Sequence, residues 1–247
     1  MTPSDNTILI TGGTSGIGLA LALAMAAQGN RVIIAGRRQA LLDQIAAEHP
    51  GITGYALDVA DAAGVAEFAA RVTATHPGLN VLINNAGIML AEDLTTPDYL
   101  AEAEAMVVTN LLGPIRLTAA LMPHLRAQTR ATVINVTSGL AFVPLVRTPT
   151  YSATKAGLHS WTQSLRHQLR GASVEVLELA PPAVQTDLMP GQATSAHAMP
   201  LAHFIAEVMG LLALTPTPAE ICVERVGFLR RAEAEGKFDA VFKMLNG

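Results

Sequence analysis

Cysteine is almost missing from this chain. Cys222 stands alone among 247 residues, so no intrachain disulfide can form, and no Cys-rich metal motif is present. Charge is scarce as well. Charged residues make up 15% and the formal net charge is −4, with both signs scattered along the chain. That leaves neither a basic stripe for nucleic acid nor a polybasic segment for anionic lipid. No stretch reaches the roughly 18 consecutive apolar residues at which a helix reads as membrane-spanning. The opening MTPSDNT lacks a basic region, and the apolar run behind it is short and broken by glycine, which does not fit a signal peptide. These absences lead us to expect a cytoplasmic protein with no nucleic-acid or membrane partner.

Aliphatic residues are plentiful. Half the chain is apolar, enough for a sizeable core. Six β-rich runs punctuate it: TILIT (7–11), RVIIAG (31–36), GYALDV (54–59), VLINNAG (81–87), TVINVTS (132–138) and VEVLELA (174–180). Each is nearly continuous rather than alternating, as expected for strands covered on both faces. Between them lie helical patterns over 17–28, 39–49, 62–75, 97–128 and 152–169, several ended by glycine or proline. Such alternation predicts an α/β fold, a doubly wound parallel sheet in three layers, with one domain over 1–247. The proline-interrupted stretch around 187–215 breaks the rhythm and reads as an inserted helical flap.

The first strand runs straight into TGGTSGIG, Thr11 to Gly18. Its glycines at 12, 16 and 18 permit a tight turn, close backbone approach to a ligand and close helix packing. The helix N-terminus beyond them, from Ile17, offers free N–H groups and partial positive charge to a phosphate; Thr14 and Ser15 lie in the same loop. The end of the second strand selects the nucleotide. An acidic residue there would favour NAD, but this chain has Gly36-Arg37-Arg38. A guanidinium binds a 2′-phosphate that a carboxylate would repel, so we expect NADP(H), with Arg37 as main discriminator, Arg38 beside it and Ser15 adding a hydroxyl.

With these features the chain resembles the short-chain dehydrogenase/reductase family over roughly residues 5–190. The signals are Thr11–Gly18, Asp58, Asn84-Asn85-Ala86-Gly87, Asn110, Ser138 and Tyr151-Ser-Ala-Thr-Lys155, in that order. The resemblance implies a seven-stranded Rossmann-like sheet. It places Asp58 and Val59 near an adenine, and Asn85, Ala86 and Gly87 beside the adenosine ribose. It also implies that Pro181, Val184 and Thr186, after the sixth strand, meet the carboxamide and phosphates. Where the family usually shows Pro-Gly, this chain has Pro181-Pro182, which removes a backbone donor.

Hydride transfer to a carbonyl requires a proton for the developing alkoxide. Tyr151 is the candidate acid/base. Lys155, one helical turn on, is expected to lower the pKa of the phenol and to bind the nicotinamide ribose. Ser138 is expected to hydrogen-bond the substrate oxygen. Asn110 precedes Gly113-Pro114; proline lacks the N–H that would bond the Asn110 carbonyl in an α-helix, leaving that carbonyl to hold a water. The family implies a proton relay through such a water to the lysine.

An apolar substrate is expected, a ketone, an aldehyde or a secondary alcohol. Met89 and Leu90 would border it from one side, and Leu140, Phe142, Val143 and Leu145 from the loop after the fifth strand. Leu188, Met189 and Met199 would close the flap side. The chain end has only a short candidate seventh strand and a charged helical tail; a homodimer is favoured over the family tetramer. His159 and His167 are expected in packing or surface roles, and no metal is expected. The rival readings are an epimerase or dehydratase on the same scaffold and a non-catalytic NADP(H)-binding sensor or scaffold protein.

Overall fold

The structure, a computed structural model, describes residues 2–247. Seven parallel strands form one sheet in the order β3-β2-β1-β4-β5-β6-β7. They are β1 (Thr7–Thr11), β2 (Arg31–Gly36), β3 (Ile52–Ala56), β4 (Leu79–Asn84), β5 (Ala131–Val136), β6 (Val174–Leu179) and β7 (Glu220–Ile221). Alternate residues of one strand feed opposite cores. Ile8 and Ile10 pack under α1 (Gly16–Ala27), α2 (Gln39–Glu48) and α7 (Leu201–Leu212), while Leu9 packs under α3 (Ala62–Thr75) and α5 (Gly113–Ala127). Both faces are therefore apolar, which explains why the strands read as unbroken aliphatic runs.

The strand order reverses between β1 and β4, and the crevice above their carboxyl ends is where such sheets bind ligands. Thr11 holds the two segments together at this point: its Oγ1 accepts from the Asn85 and Ala86 N–H groups, both at 3.1 Å. Three expected strands stop two or more residues short of their run. β3 ends at Ala56 instead of Val59 because the chain turns at Asp58, whose Oδ1 accepts from Ala60 N–H. β4 and β5 end at Asn84 and Val136, where Asn85 and Thr137 begin loops at the ligand edge.

The expected helix over 97–128 is interrupted. After α4 (Leu100–Val107) comes a π turn over Val108–Leu112, with Gly113 N–H donating to Val108 C=O, before α5 begins. The turn falls where the i→i+4 ladder loses a donor, at Pro114. By length and composition 97–127 would suit a bilayer, but Met106, Leu117, Leu121 and Leu125 are buried inside the protein. The stretch read as a flap is partly core: Phe204, Val208 and Leu212 of α7 sit in the apolar layer shared with α1. Two short helices, α8 (Gly227–Arg230) and α9 (Phe238–Asn246), complete the chain, and the seventh strand is two residues long.

Candidate active site

Twenty residues form α6 (Pro149–Gln168), which begins three residues before the expected Ser152. Proline at its first position needs no partner for a missing N–H, so the helix can start there. Tyr151 therefore lies in the first turn and Lys155 one turn on, both almost fully buried, at 6% and 4% exposure. The Lys155 Nζ sits 5.6 Å from the Tyr151 ring centre and donates to the Val136 carbonyl at 2.8 Å. Ser138, at the end of the same strand segment, hydrogen-bonds the phenol; its Oγ also accepts from Leu140 N–H at 3.1 Å. Sequence positions spread over eighteen residues, 138 to 155, thus converge on one corner.

The electrostatics differ from the expected tuning. Burial pushes the Tyr151 phenol up to about 12, and the Ser138 hydrogen bond only partly opposes this. Burial also pulls the Lys155 ammonium down to about 8. Removal from water disfavours the charged form of both groups. The lysine alone therefore does not make the phenol acidic. As the protein stands, Tyr151 is a protonated donor at neutral pH.

Asn110 is fully buried within the π turn, but its side chain is committed to structure. Oδ1 accepts from Ile88 N–H at 2.9 Å, while Nδ2 donates to Ile88 C=O at 2.8 Å and to Thr154 Oγ1 at 3.3 Å. This ties the segment after β4 to α6. Gly87 fits the same corner: a Cβ there would lie 3.2 Å from Asn110 Oδ1 and 3.7 Å from Lys155 Nζ.

The glycine loop forms the other half of the crevice. Gly12 has φ +67°, and a Cβ on it would stand 2.9 Å from the Ala86 Cα. A Cβ on Gly18 would run into Asn85 Nδ2 and the Gly12 carbonyl. Asn85 Nδ2 donates to the Thr11 carbonyl at 2.9 Å, locking loop to loop. Ser15, the N-cap of α1, makes no side-chain cap, and no acidic residue occupies the first turn. The partial positive charge of that terminus is thus not offset locally, which suits a phosphate. Thr186 faces this end, its Cβ 3.4 Å from a Cβ built on Gly16, so the loop after β6 closes over the same place. Pro181 is tied to the catalytic side, its carbonyl accepting from Gly139 N–H at 2.8 Å, and Val184 pairs with Met199. Arg38, expected beside Arg37 at the nucleotide end, reaches the glycine loop. Its Nη2 donates to Thr14 Oγ1 at 2.8 Å and to Ser15 Oγ at 3.1 Å. The residues present fit a dinucleotide whose pyrophosphate lies against the glycine loop.

An apolar wall stands beside Tyr151, made of Met89 and Met106, with Ile88, Leu140, Leu145 and Met189 packed against them. Val143 and Met199, expected at the pocket, belong instead to the core under α7 because both are almost wholly covered by aliphatic neighbours. Phe142 is held between other groups: its ring meets His159 edge-on at 5.0 Å and carries the Arg230 guanidinium at 4.8 Å.

Sequence reasoning missed a polar cluster behind this corner. The Glu178 carboxylate, fully buried, accepts from Thr137 Oγ1 at 2.6 Å and lies 2.8 Å from His159 Nδ1. Glu220, its neighbour across β6 and β7, pairs with Arg230 at 2.6 Å. Ligand atoms of His159, Glu178 and Glu220 lie within 4.8 Å of one another, yet each carboxylate already has protein donors. The three residues sit on separate elements with no shared spacing, so no sequence signal marks them.

A family model described as short chain dehydrogenase matches residues 6–196. An uncharacterized oxidoreductase, DltE, of Bacillus subtilis is 45% identical over 190 residues, covering 76% of this chain and 75% of that one. A serine 3-dehydrogenase of Agrobacterium fabrum is 34% identical, covering 74% of each chain. Among solved structures, an alcohol dehydrogenase from Thermococcus sibiricus complexed with 5-hydroxy-NADP superposes with a TM-score of 0.76 at 26% identity. It covers 85% of this chain and 91% of that one. The chain belongs to the short-chain dehydrogenase family and is an oxidoreductase of that family.

Proposed function

We propose that the protein is an NADP(H)-dependent carbonyl reductase or alcohol dehydrogenase acting on an apolar ketone, aldehyde or secondary alcohol. The observation that carries this reading is a neutral, buried phenol hydrogen-bonded to a serine hydroxyl beside an apolar wall. When bound, the nicotinamide cofactor supplies or receives the hydride. The chain's own groups do the rest. Ser138 Oγ donates to the carbonyl oxygen and withdraws charge from it. Tyr151 Oη delivers its proton to that oxygen as the alkoxide develops, and in the reverse direction takes it back. Lys155 keeps its ammonium near the phenol and stabilises the phenolate formed by the transfer. Met89, Leu140, Leu145 and Met189 exclude water from the reacting carbon and admit apolar substituents.

For the cofactor, the glycine loop, the uncapped start of α1 and Thr186 would hold the pyrophosphate. Arg38, with Arg37, would hold the 2′-phosphate, releasing its bonds to Thr14 and Ser15 or sharing them. An NADP analogue in the Thermococcus sibiricus relative supports the same preference. The test is a panel of ketones followed at the nicotinamide absorbance with NADPH and with NADH. Turnover of apolar ketones with NADPH is expected. Tight NADPH binding with no turnover of any carbonyl would favour the sensor reading instead.

A further inference from the structure

We propose that Glu92 is the N-terminal cap of the catalytic helix, supplied from outside that helix, and that it acts as a positioning residue for Tyr151. The local candidate for this role fails to fill it. Thr148 occupies the N-cap position of α6, a place where threonine ordinarily bonds an N–H of the first turn. Here it makes no such bond. It is fully buried, and its Oγ1 has no hydrogen-bond partner. Pro149 has no N–H to satisfy, so Thr150 carries the first free amide of the helix. That amide donates to Glu92 Oε2 at 2.8 Å, across 58 residues of sequence.

The contact is two-ended. The Glu92 backbone N–H donates to the Arg147 carbonyl at 3.1 Å, so one residue clasps the chain on both sides of the Thr148–Pro149 start. Among the described residues no ion pair neutralises the Glu92 carboxylate, and its Oε1 is buried without a partner. Its counter-charge is the positive end of a twenty-residue helix. Ser152 closes the same turn from within, accepting from Leu145 N–H at 3.3 Å and donating to Thr148 C=O at 3.0 Å. Glu92 is the tie that arrives from the β4 side, on the segment that also carries Met89 of the apolar wall. Tyr151 is the next residue after the capped amide. The cap therefore fixes where the phenol stands relative to Ser138 and how the apolar wall meets it. A misplacement of about 1 Å at a reacting group lowers turnover by up to about a hundredfold.

The experiment compares wild type with Glu92→Ala and Glu92→Gln by amide hydrogen exchange, NADPH binding and steady-state kinetics on a reducible ketone. In Glu92→Ala the Thr150 amide is expected to exchange about tenfold faster or more, and kcat to fall about tenfold, with the NADPH dissociation constant within about twofold of wild type. Glu92→Gln keeps an acceptor oxygen and is expected to recover most of both losses. If Glu92→Ala fails to fold, Glu92→Met, of similar length and without an acceptor, carries the same expectations. An unchanged Thr150 amide, an unchanged kcat in a variant that has lost the cap, or a Gln variant no better than Ala or Met would each overturn the proposal. Only the kinetic arm rests on the redox reading: should wild type reduce no carbonyl, that reading fails while the exchange comparison still decides whether Glu92 caps the helix.

Discussion

The two corners of the crevice handle charge in opposite ways. At the glycine loop, Arg37 and Arg38 are exposed, and they can meet an anion without first losing their hydration to the protein. At the catalytic corner, Tyr151 and Lys155 are buried, and burial drives each towards its neutral form. Recognition of a phosphate needs a charge that is always there; proton transfer needs groups whose charge can be switched. The lesson is that the tyrosine–lysine pair is not a ready phenolate. In the proposed reaction it is a proton held in reserve until charge develops next to it.

That contrast can be broken at several points. The largest effect is expected from Tyr151→Phe, which removes the proton and should lower carbonyl turnover by about a thousandfold. NADPH affinity, measured by fluorescence titration, should change little, because the glycine-loop corner is untouched. A comparable loss of cofactor binding would show that the corners are not separate.

Next is the pH dependence of stability. The Lys155 pKa is lowered from 10.5 to about 8 in the folded protein, so its contribution to stability is fully present above 10.5 and lost as pH falls through about 8. The full penalty at neutral pH is about 3 kcal/mol. The Tyr151 pKa is raised from 10.0 to about 12, so its contribution is intact below 10.0 and lost as pH rises through about 12. Between roughly pH 8 and 10 the lysine alone of the two shapes the curve. Urea melts across that window should show wild type gaining stability relative to Lys155→Met by about 2 kcal/mol. Parallel curves would mean that the ammonium is not desolvated.

Gly18→Ala should follow in size. Its Cβ meets Asn85 Nδ2 and the Gly12 carbonyl, so the variant must part the two loops that Asn85 joins. A loss of about 1–3 kcal/mol in denaturant melts is expected, together with weaker NADPH binding. The smallest effect is Arg38→Ala, which should weaken NADPH by about tenfold and leave NADH within about twofold, as one charge-assisted hydrogen bond to phosphate predicts. Arg37→Ala sharpens the same point: a larger effect from it than from Arg38→Ala would return the main role to the residue that the sequence favoured.

Much of this architecture was legible. The strands TILIT and RVIIAG and the helix over 62–75 lie where the aliphatic runs and their glycine and proline stops put them. Tyr151, Lys155 and Ser138 meet because one helical turn and one strand end bring them together. Less legible was anything set by distance in space. The π turn needed the competition at Pro114 between a missing donor and helix continuation. The direction of the two pKa shifts needed burial, which spacing does not report. The bonds of Arg38 to Thr14 and Ser15 depend on side-chain reach, and the Thr150 amide lies 58 residues from Glu92, with no motif to join them.

A row of uncharged polar side chains crosses the middle of the sheet. Thr118 Oγ1 accepts from Asn84 Nδ2, which also donates to Asn135 Oδ1, and Asn135 Nδ2 donates in turn to Thr162 Oγ1. Asn84 and Asn135 are direct partners between β4 and β5. Aliphatic neighbours would tolerate sliding one strand past the other by two residues; these amides would not, since the slip would strand them in oil. The ladder works as a tooth in a rack, and a chain with both asparagines made leucine should keep its stickiness yet lose its single alignment.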